Sequence, residues 1–172
     1  MLDLVWGDYD NLFHQRIIFA PDVTYLAALY DVDGKHIYLS VITDHRSKKV
    51  IGQKVFINND IKLVLDYFVS IANKPANVIV HSDYGSCYFS ILFCQLIHSS
   101  NWKQSMSRAG NSLDNHVVEF WFSILKTEFI YNIDVKKMSF EQFEQVLANY
   151  IDYYNNVRIQ KIKFDNSYSI WK

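Results

Sequence analysis

The chain has 172 residues, half of them hydrophobic, with 12 Phe, 12 Tyr and 4 Trp against 5 Gly and 2 Pro. That is core material for one domain, and it argues against long linkers or disorder. A formal net charge of −1 is unlike a free-standing DNA-binding domain, which is usually basic, and with no run of 18 apolar residues and no basic-then-apolar start, neither a membrane span nor a secretory segment is expected.

Residues 1–16 are mixed and aromatic without clear periodicity, and read as a lead-in. Ile17 to Tyr30 is rich in β-branched and aromatic residues and reads as a strand. Asp33-Gly34 signals a hairpin turn into a second strand, His36 to Thr43. Asp44 to Lys49 is a polar connection to a third strand, Val50 to Ile57. Three strands with short turns form an antiparallel meander. Asn59 or Asp60 caps a helix with Ile61, Val64, Leu65, Phe68 and Ile71 at helical spacing, ending before Pro75.

Asn77 to Ser82 is a short apolar run, typical of a strand buried on both faces. A helix follows with Phe89, Leu92, Phe93, Leu96 and Ile97 on one face. Cys87 and Cys94, seven apart, are expected one above the other on it as reduced thiols of a cytoplasmic protein, not as metal ligands. Trp102 to Met106 reads as a fifth strand.

A long helix then starts near Leu113, capped by Asn111 or Ser112, with Asp114 at the positive end of its dipole. It is apolar almost all round, which predicts burial. At about 100° per residue, Asn115, Glu119 and Lys126 share its polar stripe. Ser139 and Gln142 form a capping box for a last helix with Phe140, Phe143, Val146, Leu147, Tyr150, Ile151 and Tyr154. The tail from Arg158 is basic. The predicted order βββ-α-β-α-β-α-α is an α/β fold. It gives a mixed five-stranded sheet, three antiparallel strands then βαβ units, with helices on both faces and the fourth strand beside the first.

That arrangement lets Asp22, in the first strand, approach Asp83, which ends the fourth just before a Gly turn. Paired carboxylates are unfavourable without a cation between them. Glu119 would be the third ligand. Three carboxylates without a Cys or His cluster suit Mg²⁺ or Mn²⁺ and two-ion phosphoryl transfer. Each acid also has a plain reading, Asp83 as a turn former and Asp22 as a solvent-facing strand residue. Spacing alone leaves Asp44 and Asp114 open.

The segments DVTYL (Asp22 to Leu26), VIVHSDYGSCYFS (Val78 to Ser90), SMSRAGNSLDNHVVEFWFSILKTE (Ser105 to Glu128) and YIDYYNNVRIQ (Tyr150 to Gln160) resemble the catalytic core of bacterial insertion-sequence transposases of the retroviral-integrase-like superfamily. Thirty-five residues separate Asp83 from Glu119, the spacing of that family's second Asp and its Glu. The resemblance covers 17–163, leaving 164–172 as a tail. It implies an RNase H-like fold and an Asp22–Asp83–Glu119 catalytic and metal triad holding two Mg²⁺ (or Mn²⁺) ions. It implies cutting and joining of double-stranded DNA at element ends by a protein that oligomerises on DNA, cytoplasmic and nucleoid-associated. Lys126 matches the basic residue two turns after the Glu. Ser107, Arg108, Gly110, Asn111, Asp114 and Asn115 match the loop and helix start beside the site. Ser107, Arg108, Asn115, Lys126 and, in the closing motif, Arg158 are the expected DNA contacts, with Tyr154 expected in the core.

The departures from the family pattern are Pro21 for Thr before the first Asp, Cys87 for Gln, Leu113 for Trp, and a C-terminal stretch Asn166-Ser167-Tyr168-Ser169. A Pro inside a strand is tolerable only at an edge or bulge. Family members also carry an N-terminal helix-turn-helix region that this chain lacks, which predicts a truncated copy, a separately expressed core or a decayed element. Two alternatives to an active core follow. One is an inactive remnant that binds DNA or co-assembles with full-length transposase. The other is an RNase H-like metal nuclease on the same fold.

Overall fold

The computed structural model describes residues 18–25, 37–57, 65, 67–69, 78–83, 85–107 and 116–158, with backbone alone for 18–25 and His116. The strands are β1 (Ile18–Tyr25), β2 (Tyr38–Asp44), β3 (Val50–Phe56), β4 (Ile79–Ser82) and β5 (Lys103–Met106). The longer helices are α1 (Ile91–Ser99), α2 (His116–Ile124) and α3 (Phe140–Asn156). Sheet order is β3-β2-β1-β4-β5, with β1–β2 and β2–β3 antiparallel and β1–β4 and β4–β5 parallel. The Asp33-Gly34 turn, the cap at Asn59 or Asp60 and the start of the long helix near Leu113 lie outside the described residues.

Both sheet faces are covered. Leu39 and Val41 of β2 lie in one apolar cluster with Val118, Trp121 and Leu125 and with Phe143, Leu147 and Tyr154 of α3. Ile42 of the same strand lies in the other, with Phe68, Val80, Phe93 and Ile97. Residues 39–44 are therefore buried without a break, as the period-2 geometry of a strand between two helical layers requires. Fully burying a Leu or Phe stabilises by roughly 1.5–3 kcal/mol, and Leu125, Phe93 and Phe143 are such residues. Edge-to-face ring pairs tie the layers, Phe68–Phe93 at 5.1 Å on one side and Trp121–Tyr154 at 6.1 Å on the other.

The β2–β3 connection turns on Asp44. Its Oδ2 accepts the Ser47 N–H at 3.0 Å, and the Lys48 N–H bonds back to the Asp44 carbonyl at 2.8 Å. This buried acid is a turn former. Asp114 lies outside the described residues.

Four expectations are corrected. Helix α1 starts at Ile91 on a Ser90 cap, so Cys87 sits in the preceding turn and not above Cys94 on a helix; both thiols are free. Of the predicted apolar face, Phe93 and Ile97 are buried; Leu92 is half-exposed because only one side of α1 meets the sheet, and the half-exposed Phe89 sits in the turn before the helix. The long helix is not α-helical throughout, nor buried all round. Phe120 is 66% exposed, and a π turn spans Leu125–Phe129. The Thr127 hydroxyl donates to the Ser123 and Ile124 carbonyls at 2.9 and 3.2 Å, and Asn132 Nδ2 donates to those of Thr127 and Glu128 at 3.0 and 3.1 Å. These bonds place side-chain donors on carbonyls within and just before the turn. Finally, Pro21 sits within the central strand β1, opposite Ile42, not at an edge. The β1–β4 pairs end at Phe19, two residues before it, while the β1–β2 pairs run through it.

The capping box of α3 forms as its sequence predicts: Gln142 N–H to Ser139 Oγ at 3.2 Å, and Ser139 N–H to Gln142 Oε1 at 2.9 Å. Near its other end, Asn155 joins α3 to the edge strand. Its Nδ2 donates to the Val50 carbonyl at 2.8 Å, and its Oδ1 accepts the Val50 N–H at 2.9 Å. Asn155→Leu keeps the bulk and orphans both groups of a buried residue. We expect a loss of about 1–3 kcal/mol in urea unfolding, with an unchanged m-value.

Candidate active site

The C-terminal ends of the parallel strands face one edge of the sheet. Phe19 of β1 pairs with Val80 of β4. Asp22 and Asp83 each stand three residues beyond that pair, so both chains carry their acid to the same end of the sheet. Asp22 holds the position opposite Val41. Val41 lies in the core with Val118, the residue before Glu119. Helix α2 packs on β1 and β2 through that cluster, while Glu119 is exposed and makes no hydrogen bond or ion pair among the described residues.

Asp83 is half-buried and locally oriented. Its Oδ1 accepts the Gly85 N–H at 2.9 Å, and the Ser82 hydroxyl donates to its carbonyl at 3.1 Å. A Cβ on Gly85 would lie 2.9 Å from Oδ1 and 3.4 Å from the Tyr88 ring, so any larger residue there would displace the carboxylate. In the sequence this glycine shows only as the turn residue of SDYG. Beneath the same strand end, His81 Nδ1 and Ser105 Oγ are 2.9 Å apart in a buried pair across β4 and β5. The Ser107 N–H bonds to the Ser82 carbonyl at 2.9 Å. Ser107 is thereby placed beside Asp83, with its side chain buried. Cys87, four residues on from Asp83, has its thiol pushed up to about 11, first by burial and then by the Asp83 charge.

Lys126 is half-buried in the π turn, and no ion pair engages it among the described residues. Seven residues of pure α-helix would return it to the Glu119 stripe; here the last of those steps runs into the π turn. Arg108 and Asn115 lie outside the described residues. Arg158 lies at the end of α3 and holds Glu128, with Nε to Oε2 at 2.8 Å and Nη2 to Oε1 at 2.6 Å. Glu128 drew no attention in the sequence, because nothing in its spacing announces a partner 30 residues away. Among the described residues no three His, Cys, Asp or Glu side chains converge as a metal cluster, and the Asp22 side chain is not among them. The donor chemistry nevertheless fits a hard cation: an oriented Asp83 carboxylate and a Glu119 with no partner among the described residues, oxygen donors both.

Two models described as integrase core domain match the chain, at residues 20–112 and 119–168. The putative transposase InsK for insertion sequence element IS150 of Escherichia coli (strain K12) is 34% identical over 144 residues, 82% of this chain and 49% of that protein. The transposase for insertion sequence element IS904 of Lactococcus lactis subsp. lactis (strain IL1403) is 31% identical over 146 residues, 81% of this chain and 57% of that protein. The chain thus spans about half the length of the curated relatives it matches. Among solved structures, the HTLV-2 integrase catalytic core domain in complex with magnesium superposes with a TM-score of 0.61 at 17% identity, covering 85% of this chain and 90% of that one. The shared fold is mixed α/β, that of retroviral integrase catalytic cores, which is RNase H-like.

Cys87 reports on the charge at Asp83. Burial, and after it the Asp83 charge, push its thiol up to about 11, so alkylation at pH 8–9 should be slow. Asp83→Asn removes the smaller of the two causes and lowers the midpoint, by less than about one unit since burial remains. Iodoacetamide rates against pH, with peptide mapping to separate Cys87 from Cys94, check the direction; an unmoved midpoint would contradict it.

Proposed function

The chain belongs to the integrase core domain family, among bacterial insertion-sequence transposases, and we propose that it is a catalytic core for metal-dependent DNA strand cleavage and strand transfer at element ends. One observation carries the proposal: Asp22 and Asp83 stand at equal offsets beyond the Phe19–Val80 pair, at one end of the sheet. Asp22, Asp83 and Glu119 would hold two Mg²⁺ (or Mn²⁺) ions. Bound there, the ions supply Lewis acidity to the scissile phosphate and compensate the clustered carboxylates. The Gly85 N–H keeps the Asp83 carboxylate from rotating away. Glu119 reaches the site from a helix whose opposite side is anchored by Val118, Trp121 and Leu125.

The five-stranded, doubly covered sheet serves in this reading as the rigid platform for three carboxylates from β1, β4 and α2. The substrate is double-stranded DNA, both element end and target. Lys126, Arg108, Asn115 and Ser107 are assigned to the DNA ends, with the cations contacting the backbone by charge-assisted bonds. Ser107 acts through its strand-end position, since its side chain is buried. The HTLV-2 core is described in dimeric and trimeric forms, and we assign self-assembly on DNA to this chain as well. No helix among the described residues is long and apolar enough to cross a membrane, which suits a cytoplasmic protein working at the nucleoid.

Purified chain, labelled element-end duplex and Mn²⁺ test the proposal. Asp22→Asn, Asp83→Asn and Glu119→Gln should each lower nicking and joining at least about 10²-fold while far-ultraviolet circular dichroism stays unchanged. Nicking that survives Asp83→Asn, or none from the native sequence, sinks the proposed activity and leaves the fold untouched.

A further inference from the structure

At the end of α3, three donors converge on one carboxylate. Arg158 offers Nε and Nη2 to the two oxygens of Glu128, at 2.8 and 2.6 Å, and the Tyr150 hydroxyl reaches Oε2 at 3.4 Å. The guanidinium is steadied from a second side, with its carbon 5.7 Å from the Tyr154 ring centroid. A fork of two parallel N–H donors plus a hydroxyl is the geometry that recognises a planar carboxylate and, equally, two oxygens of a phosphate. The arrangement opens onto a surface cavity lined by Glu128, Tyr150, Tyr153, Val157 and Arg158. The pair itself is not sealed: the side chains are 22% and 38% exposed. An anion arriving through the cavity meets the guanidinium with Glu128 as its one carboxylate partner among the described residues.

We propose that Arg158, Tyr150 and Tyr154 form a phosphate cradle that Glu128 occupies as an internal stand-in, and that a DNA backbone phosphodiester displaces Glu128 when DNA is bound. The inference rests on the DNA-acting reading above and deepens it. Arg158 becomes a contact held in reserve, engaged only when nucleic acid outcompetes a carboxylate nine residues beyond Glu119. Glu128 is suited to yielding. It projects from the π turn, where the Asn132 amide holds the Thr127 and Glu128 carbonyls, so the backbone is supported without the ion pair. The Glu128 carboxyl is held below the usual range chiefly by its bond to Arg158, so it stays charged and closed near neutral pH, and release has to come from a competing anion.

The test is binding, not turnover. Inorganic phosphate is titrated against chloride at constant ionic strength, with the Arg158 Nε–Hε signal followed by NMR, in the native chain and in Glu128→Gln. Glu128→Gln should bind phosphate at least about tenfold more tightly, and the gain should vanish in Glu128→Gln with Arg158→Gln. On a duplex of arbitrary sequence, Glu128→Gln should steepen the dependence of log K on log salt by about one unit, the signature of one added phosphate contact. Equal phosphate affinity, or a gain that survives loss of Arg158, overturns the cradle. A gain for free phosphate with none for duplex overturns the assignment to a nucleic-acid backbone. Should Glu128→Gln fail to fold, a saturable phosphate-induced shift of the Arg158 signal in the native chain is the expected result, and its absence overturns the proposal. Failure of strand cleavage would leave the phosphate titration unaffected, so the two readings fall separately.

Discussion

The molecule depends on the parallel pairing of β1 with β4, through Ile18–Ile79 and Phe19–Val80. Two bridges join an antiparallel meander to a parallel βαβ half, across about sixty residues of chain. Closing so long a loop is costly, though the cost grows only slowly with its length. What holds it closed is burial on both sides: Val80 on the Phe93 side and Val41, in the neighbouring strand, on the Trp121 side. That junction aligns the two aspartates. Gathering acids at one strand end opposes folding electrostatically unless a cation joins them. A sheet sealed by two apolar layers can carry that local penalty.

Much of this architecture was legible in the residues, because periodicity and turn chemistry are local signals. The alternation and short turns of the first half dictated a meander. The run NVIVHS announced a strand buried on both faces, and Ser139 with Gln142 announced a helix start that forms as a capping box. The offset between Asp22 and Asp83 follows once β4 is placed beside β1, which the right-handed crossover preference favours. The side-chain meeting of the triad belongs to the proposal, since Asp22 is described by its backbone alone.

Other features were illegible for definite reasons. A π turn has no hydrophobic period of its own; Leu125 and Phe129 are as compatible with an α-helix as with the wider turn. It shows only in the backbone bonding, where the Ile130 N–H reaches back to the Leu125 carbonyl. Arg158 is read from sequence as a DNA contact, yet its fork is filled by a carboxylate from a different element. Ion pairs at such separation leave no trace in spacing. Pro21 is read as an edge or bulge residue and stands instead in the middle strand, two residues past the last β1–β4 pair. Phe120 and Leu92 show the converse limit, since helices packed on one side leave apolar residues in water.

Asn155 carries a consequence of another kind. Strand β3 is an outer strand of the sheet, and an outer strand offers its spare amides and carbonyls to any other chain, the usual seed of cross-molecular ladders. The carboxamide of Asn155 occupies both groups of Val50, and Lys54 places an exposed charge farther along the same strand. A side chain shaped like a peptide group thus closes part of the ladder from within. A second copy of the chain that approached this edge would meet a capped border there, not an open ladder.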